Sequence, residues 1–299
     1  MQNRIKLIAK IDRIICLITF VSSKSSLPVK TFVLLERQSQ NKRYTKIKWT
    51  VTVIPLKMKI TFIILTWNRY KFLEICLQNL VKSISNFNGC EIIIMDNGSD
   101  DATYKVLEKY ENFKYIKIIK LKKNYGLNAY KKLISLVNSE YTVIVDDDVL
   151  SFPEGLDLLF TDYMVSYPDY GFIALNVIQN EFTNGAKPPI ENYREDVREY
   201  KIIEQGPTGG WCTCFRMSDY KKIKWRFLFS RINMKVSEDG MLSYLFSKRL
   251  KLKSGLIKNS LCFHASGPHY AKEYGHLDRE IEKYANSGMK DTVKTYQQY

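Results

Sequence analysis

Four short apolar, β-branched runs divide residues 60–146, and each gives way to polar residues. They are Ile60–Leu65, Glu91–Met95, Tyr115–Leu121 and Tyr141–Val145. Ile60–Leu65 and Tyr141–Val145 read as buried strands, and the other two runs read as strands. Between the first two, Phe72, Leu73, Cys76, Leu77, Leu80, Val81 and Ile84 recur at helical spacing, and Asn86–Gly89 closes that helix. A second helix, capped by Ser99, Asp100 or Asp101, runs to about Tyr110, and a third leads from Asn124-Tyr-Gly126 to about Val137. Strands alternating with helices over short links specify an α/β fold, a mostly parallel Rossmann-like sheet flanked by helices. Parallel strands end along one edge, and ligands of such sheets bind there. The edge residues are Thr66, Asn68 and Arg69, then Asp96 and Asn97, then Asp146, Asp147 and Asp148.

The three consecutive aspartates are the sharpest signal. Adjacent carboxylates repel, and burying them unpaired is costly, so a cluster at a strand's end calls for a cation. A solvated acidic turn is the plain competing reading. No G-x-G-x-x-G follows the first strand and no Walker lysine motif is present, which excludes the dinucleotide and P-loop classes.

Charge separates the chain's ends. Of the net +15, residues 1–57 supply +10, with twelve Lys/Arg against two acidic residues, which leaves +5 for residues 58–299. A nucleic-acid partner is therefore not expected: the basicity is mostly in the extension, and no recognition motif accompanies it. Ile14–Val21 is apolar after Arg4, Lys6, Lys10 and Arg13, faintly leader-like, too short to span a bilayer, and compatible with peripheral membrane contact. Residues 36–48 look linker-like. Met58, directly before the first convincing strand, is a candidate alternative start, with 1–57 poorly ordered or wrongly included. The six cysteines are scattered, so reduced thiols and a cytoplasmic setting are expected.

The expected organisation is a nucleotide-binding half at 58–150, an acceptor and catalytic half of the same domain at 151–272, and a helical tail at 273–299. Beyond Leu150, Pro153–Ser166 reads as a helix and Gly171–Val177 as a strand. Residues 179–200 read as a loop, either a lid over the site or a passive insertion. Gly206–Phe215 mixes glycine with strand formers, Ser237-Glu-Asp-Gly240 opens a helix to Arg249, and Leu252–Ile257 returns as a strand.

Together these residues resemble family-2 glycosyltransferases of the GT-A fold, over roughly Lys59 to His264. The resemblance lies in the order Thr66-Trp-Asn-Arg69, Glu91–Asp100, Asn124-x-Gly126, Val145-Asp-Asp-Asp148, Glu238-Asp239 and His264. It implies an inverting sugar transferase that uses a nucleoside-diphosphate sugar and Mn²⁺ or Mg²⁺. It implies that Thr66, Asn68, Arg69, Asp96, Asn97, Asn124, Gly126, Asp146 and Asp147 serve the nucleotide. Asp148 and His264 would hold the metal, with His269 a rival for the histidine. Asp239, or else Glu238, would be the base that deprotonates the acceptor, and Gly210 and Trp211 would floor the acceptor site. The acceptor would be a hydroxyl of a glycan, a lipid-linked sugar or a protein. A nucleotidyltransferase and a non-catalytic nucleotide- or sugar-binding module remain the rivals.

Overall fold

The computed structural model describes residues 59–183 and 187–299 in full and, before them, the backbone of four strands. These are β1 (Lys6–Ile11), β2 (Ile14–Thr19), β3 (Val29–Arg37) and β4 (Tyr44–Thr52), an antiparallel sheet in sequence order. The chain divides into two units, Met1–Lys57 and Met58–Tyr299. Most of the leader-like run is strand β2. Strands β3 and β4 take the ends of the linker-like stretch, while its centre at 38–43, and Met58, lie outside the described residues.

The second unit begins with the expected alternation. Its elements are β5 (Ile60–Thr66), α1 (Tyr70–Ser83), β6 (Cys90–Asp96), α2 (Thr103–Glu108), β7 (Ile116–Lys120), α3 (Ala129–Ser135) and β8 (Tyr141–Asp146). Strands β7, β6, β5 and β8 lie side by side in that order, all parallel. Thr66 pairs with Asp96 and Leu65 with Asp146, so three polar strand ends share one edge. Helix α1 buries Phe72, Leu73, Cys76, Leu77 and Leu80 completely. Burial of a side chain the size of Phe or Leu contributes about 1.5–3 kcal/mol, so that face fixes the helix on the sheet.

Beyond β8 the sheet becomes mixed. Its further elements are β9 (Val149–Ser151), α4 (Leu156–Ser166), β10 (Tyr170–Val177), β11 (Arg194–Arg198), β12 (Lys201–Gln205), β13 (Cys212–Arg216), α5 (Met217–Leu228), α6 (Glu238–Leu250) and β14 (Lys253–His264). Strand β13 lies antiparallel to β8, with Cys212 opposite Val145. Its first residues therefore stand beside the last of β8. Strand β10 is antiparallel to β13 and β14 is parallel to β10, so β14 also ends on the edge that carries Asp146. The end of β14 bends onto β9, where His264 pairs with Val149. Two reversals of direction thus bring residues about 120 positions apart to one place.

Part of the segment read as a loop is strand. Residues 194–198 pair antiparallel with β12 at the far edge of the sheet. Its mostly polar, half-exposed residues lack the apolar alternation that marks a strand. Tyr170 Oη donates to Asp196 at 3.0 Å, which ties the hairpin to the core. Residues 184–186 lie outside the described residues. The chain ends in α7 (Pro268–Glu273), α8 (Leu277–Asn286) and α9 (Lys290–Gln297). Among the described residues no helix is long and apolar enough to cross a membrane.

Candidate active site

A cleft of about 720 Å³ opens along the strand-end edge. Its walls include Thr66, Arg69, Asn97, Asn124, Gly126, Asp146, Asp147, Asp148, Gly210, Glu238, Asp239 and His264. The aspartates after β8 and the acids that open α6 therefore line one space.

The β8 end divides its three carboxylates. Thr66 Oγ1 donates to Asp147 at 2.7 Å, and Arg69 donates to Asp147 at 2.7 Å and to Asp148 at 2.5 Å. His264 Nε2 lies 3.1 Å from Asp148 and 3.8 Å from Asp146. Asp146, Asp148 and His264 thus offer two carboxylate oxygens and one imidazole nitrogen, all within 4.8 Å of one another. Ligand atoms around a small divalent cation sit about 3–4 Å apart, and this donor set suits Mn²⁺ or Mg²⁺, so these residues fit such an ion. Asp147 stands apart, committed to Thr66 and Arg69. His269 faces Glu273 and stacks on Phe182 with centroids 3.9 Å apart, away from the aspartates.

Charge is balanced tightly here. Burial and the neighbouring Asp148 push the Asp146 carboxyl up to about 7. Burial opposes ionisation of Asp148 as well, but Arg69 and His264 hold it well below the usual carboxylate range. The Arg69 guanidinium, although desolvated, is held firmly charged by Asp147, Asp148 and Glu280.

The nucleotide-side residues form a linked set of turns. Asn97 Nδ2 donates to Asn124 Oδ1 at 2.8 Å and to the Gly126 carbonyl at 3.2 Å, while Tyr125 N donates to Asn97 Oδ1. Gly98 lies at φ 78°, and a Cβ there would meet Lys123 backbone at 2.6 Å. Only glycine lets the two turns approach this closely. Asn68 sits at φ 51°, a left-handed conformation that Asn tolerates, and exchanges hydrogen bonds with Asp100. Buried Asp96 accepts from Ser99 N at 2.9 Å. Asn68 and Asp96 shape the turn and are not among the cleft's wall residues.

On the opposite wall, Ser237 caps α6, and Glu238 and Asp239 occupy its first turn. Glu238 is 5% exposed, and its Oε2 finds no hydrogen-bond partner among the described residues. Burial, and then Asp239, push its carboxyl well up. Asp239 is half-buried and faces the backbone of Gly210, where a Cβ would lie 2.8 Å from the Asp239 Cβ. Trp211 is 4% exposed, donates from Nε1 to the Leu175 carbonyl at 2.9 Å and lies beside His264, with centroids 6.2 Å apart. The ring is core under the site, and stacking on a sugar is not open to it; the glycine backbone forms the surface above.

The tail supplies a wall that the sequence reading assigned no role. Arg279, Glu280, Lys283 and Tyr284 of α8 and Tyr296 of α9 line the cleft. Arg279 donates to the Trp67 carbonyl, which fixes α8 to the turn after β5. Glu280, 3% exposed, meets Arg69, Arg279 and Lys283. Burial opposes its charge, yet these three cations lower its carboxyl to about 2. The available signal was an amphipathic pattern in a polar tail, which a solvated helix shows equally.

Comparison with known proteins agrees with this geometry. The model of glycosyl transferase family 2 matches residues 61–224, more than half of the chain. A cholesterol galactosyltransferase of Borreliella burgdorferi is 31% identical over 130 residues, which are 40% of this chain and 36% of that protein. The poly(ribitol-phosphate) beta-N-acetylglucosaminyltransferase TarS of Staphylococcus aureus is 29% identical over 93 residues, 30% of this chain and 16% of that one. The chain thus matches little more than a third of these relatives' length at most. Among solved structures, TarS in complex with UDP-GlcNAc superposes with a TM-score of 0.54 at 15% identity, covering 80% of this chain and 72% of that one. The mannosyltransferase PcManGT of Pyrobaculum calidifontis, in complex with GDP-Man and Mn²⁺, gives 0.53 at 14% identity, covering 79% and 64%. At such identities the superpositions establish the GT-A fold, and with the family match over residues 61–224 they lead to one conclusion: the chain belongs to glycosyl transferase family 2.

Proposed function

We propose that this protein transfers a sugar from a nucleoside-diphosphate donor to an acceptor hydroxyl, with inversion at the anomeric carbon and with a divalent cation. The observation that carries this is one cleft with an Asp146–Asp148–His264 donor set on one wall and Asp239 on the other. A pocket holding Asn97, Asn124 and Gly126 suits the nucleoside. Asp146, Asp148 and His264 would hold Mn²⁺ or Mg²⁺, which supplies charge stabilisation for the departing diphosphate. Arg69 keeps the Asp148 carboxylate ionised and in place. Asp239 is the half-exposed acid that an acceptor hydroxyl can reach and takes its proton, while burial holds Glu238 toward its neutral form and makes it the poorer base. The relatives' donors, UDP-GlcNAc and GDP-Man, define the class to screen. Full-length protein incubated with a panel of nucleotide sugars and Mn²⁺ should hydrolyse one donor slowly and transfer its sugar when an acceptor is supplied. The product anomer should be opposite to the donor's; a retained anomer would exclude direct displacement assisted by Asp239.

A further inference from the structure

Helix α5 presents a face that the cleft does not use. Trp225 and Phe229, one turn apart, are 68% and 82% exposed, and their rings stack with centroids 6.1 Å apart. The helix cannot roll to hide them, because Tyr220, Ile223 and Phe227 on its other face are locked in the core. An exposed aromatic pair of this size marks a surface that meets a partner. Cations surround it: Lys221, Lys222, Lys224 and Arg226 on the helix, then Arg231 and Lys235 in the loop beyond. Asp219 in the first turn of the helix pairs with Lys222 at 2.8 Å, and no carboxylate lies between Tyr220 and Ser237. With Asp219 counted, residues 217–237 carry a net +5, equal to the net charge of residues 58–299 as a whole, so the rest of that unit is balanced.

We propose that this face of α5 docks on the surface of an anionic lipid bilayer. Aromatic rings on an amphipathic helix lie at the headgroup–acyl boundary, and flanking lysines and arginines meet the anionic headgroups. A second copy of the chain would set six cations against six. A soluble polyanion would engage the cations and leave both rings in water. The position of the face gives docking a consequence. Ile232, Asn233 and Met234, which begin three residues after Phe229, line the cleft. Their loop is pinned by Lys131, donating to the Ser230 carbonyl at 2.7 Å, and by Asn128, donating to the Ile232 carbonyl at 3.1 Å. A docked α5 holds the cleft mouth at the lipid surface, where a lipid-borne acceptor would be presented. That consequence rests on the transferase reading; the docking itself does not.

The test uses full-length protein and phosphatidylcholine vesicles with or without phosphatidylglycerol. Because the basic N-terminal unit can contribute to binding, the comparison is between variants. Trp225→Ser with Phe229→Ser should weaken sedimentation with anionic vesicles at least tenfold, and replacing Lys221, Lys222, Lys224 and Arg226 by Gln should do the same. Brominated lipids should quench the tryptophan emission of the wild type, and Trp225→Phe should remove most of that quenching. Nucleotide binding by these variants, measured without vesicles, should stay unchanged, which separates a failure of docking from a failure of the transfer site. Unchanged sedimentation of the Ser double variant, or quenching that survives Trp225→Phe, overturns the proposal. Heparin binding that equals vesicle binding and ignores the Ser substitutions would assign the face to a polyanion and overturn it equally.

Discussion

The cleft has two acidic walls, and they are built oppositely. At the end of β8, Asp147 and Asp148 are buried but answered by Arg69, Thr66 and His264. At the start of α6, Glu238 is as buried yet, among the described residues, has an oxygen with no partner, and Asp239 bonds there only to its own helix's backbone at Gly240 N. Asp148, answered by Arg69 and His264, is held well below the usual carboxylate range, whereas burial pushes Glu238, which lacks a cation, toward its neutral form. In the reading proposed above, the first wall holds the cation and the second exchanges the proton. The sharpest way to break this division is Asp239→Asn, which keeps size and the helix start but removes basicity. Transfer should fall by about 10²–10⁴, the usual worth of a general base, while donor binding by calorimetry stays near wild type. Normal transfer by this variant would remove the distinction between the walls.

Asp148→Ala tests the other wall. Nucleoside diphosphate with Mn²⁺ should stabilise the wild type, and the metal-dependent part of that shift in melting temperature should vanish in the variant. Removing one member of a buried pair also leaves Arg69 short of a counter-charge, at a cost of about 3–5 kcal/mol. Asp148→Asn keeps the side-chain volume and should lose the same metal-dependent shift with less damage. A full Mn²⁺ response in Asp148→Asn would move the ion away from these residues.

How far the sequence revealed this division follows from where each signal lies. The parallel half was readable because β5, β6 and β8 are buried on both faces and carry uninterrupted β-branched runs ending in polar residues. The Asp146–Asp148 cluster was readable for the same reason: a strand end fixes its position. The place of His264 came only through resemblance, since two reversals of sheet direction, at β13 and β10, separate it from the aspartates. Strand β11 was missed because edge strands hold polar residues on both faces. Trp211 faces the core, because side-chain direction depends on a strand phase that a Gly-Gly-Trp run does not show. Glu280 and Arg279 were missed because one acid among three in a polar helix becomes informative only once its buried partners are known.

That third acid sharpens the comparison. Glu280 belongs to neither wall, yet it answers Arg69, Arg279 and Lys283 at once. Glu280→Gln should lower unfolding free energy at neutral pH by about 3 kcal/mol, because three cations lose a buried counter-charge. Its carboxyl titrates near 2 in the fold against about 4.5 unfolded, so its contribution is complete above 4.5 and is lost as the pH falls through 2. The difference between variant and wild type in urea midpoint should therefore shrink on acidification. A penalty that persists unchanged at pH 2 would mean that it does not come from the lost charge of Glu280.

The smallest expected effect lies behind the same cations. His276 is 5% exposed, lies beside Phe72 with centroids 5.1 Å apart, and its Nε2 has no partner among the described residues. Burial, then Arg69 and Arg279, push its imidazole down to about 4, from an ordinary value of 6.5. The unfolded chain therefore binds a proton that the fold refuses. Stability from this group is complete above pH 6.5 and is lost as the pH falls toward 4, by up to about 2 kcal/mol once partial solvent screening is allowed for. His276→Phe keeps a ring against Phe72 and removes the titration. The melting temperature of that variant should fall less than the wild type's between pH 7 and pH 4.5. Parallel curves would show that burial and these two arginines do not hold the His276 imidazole neutral.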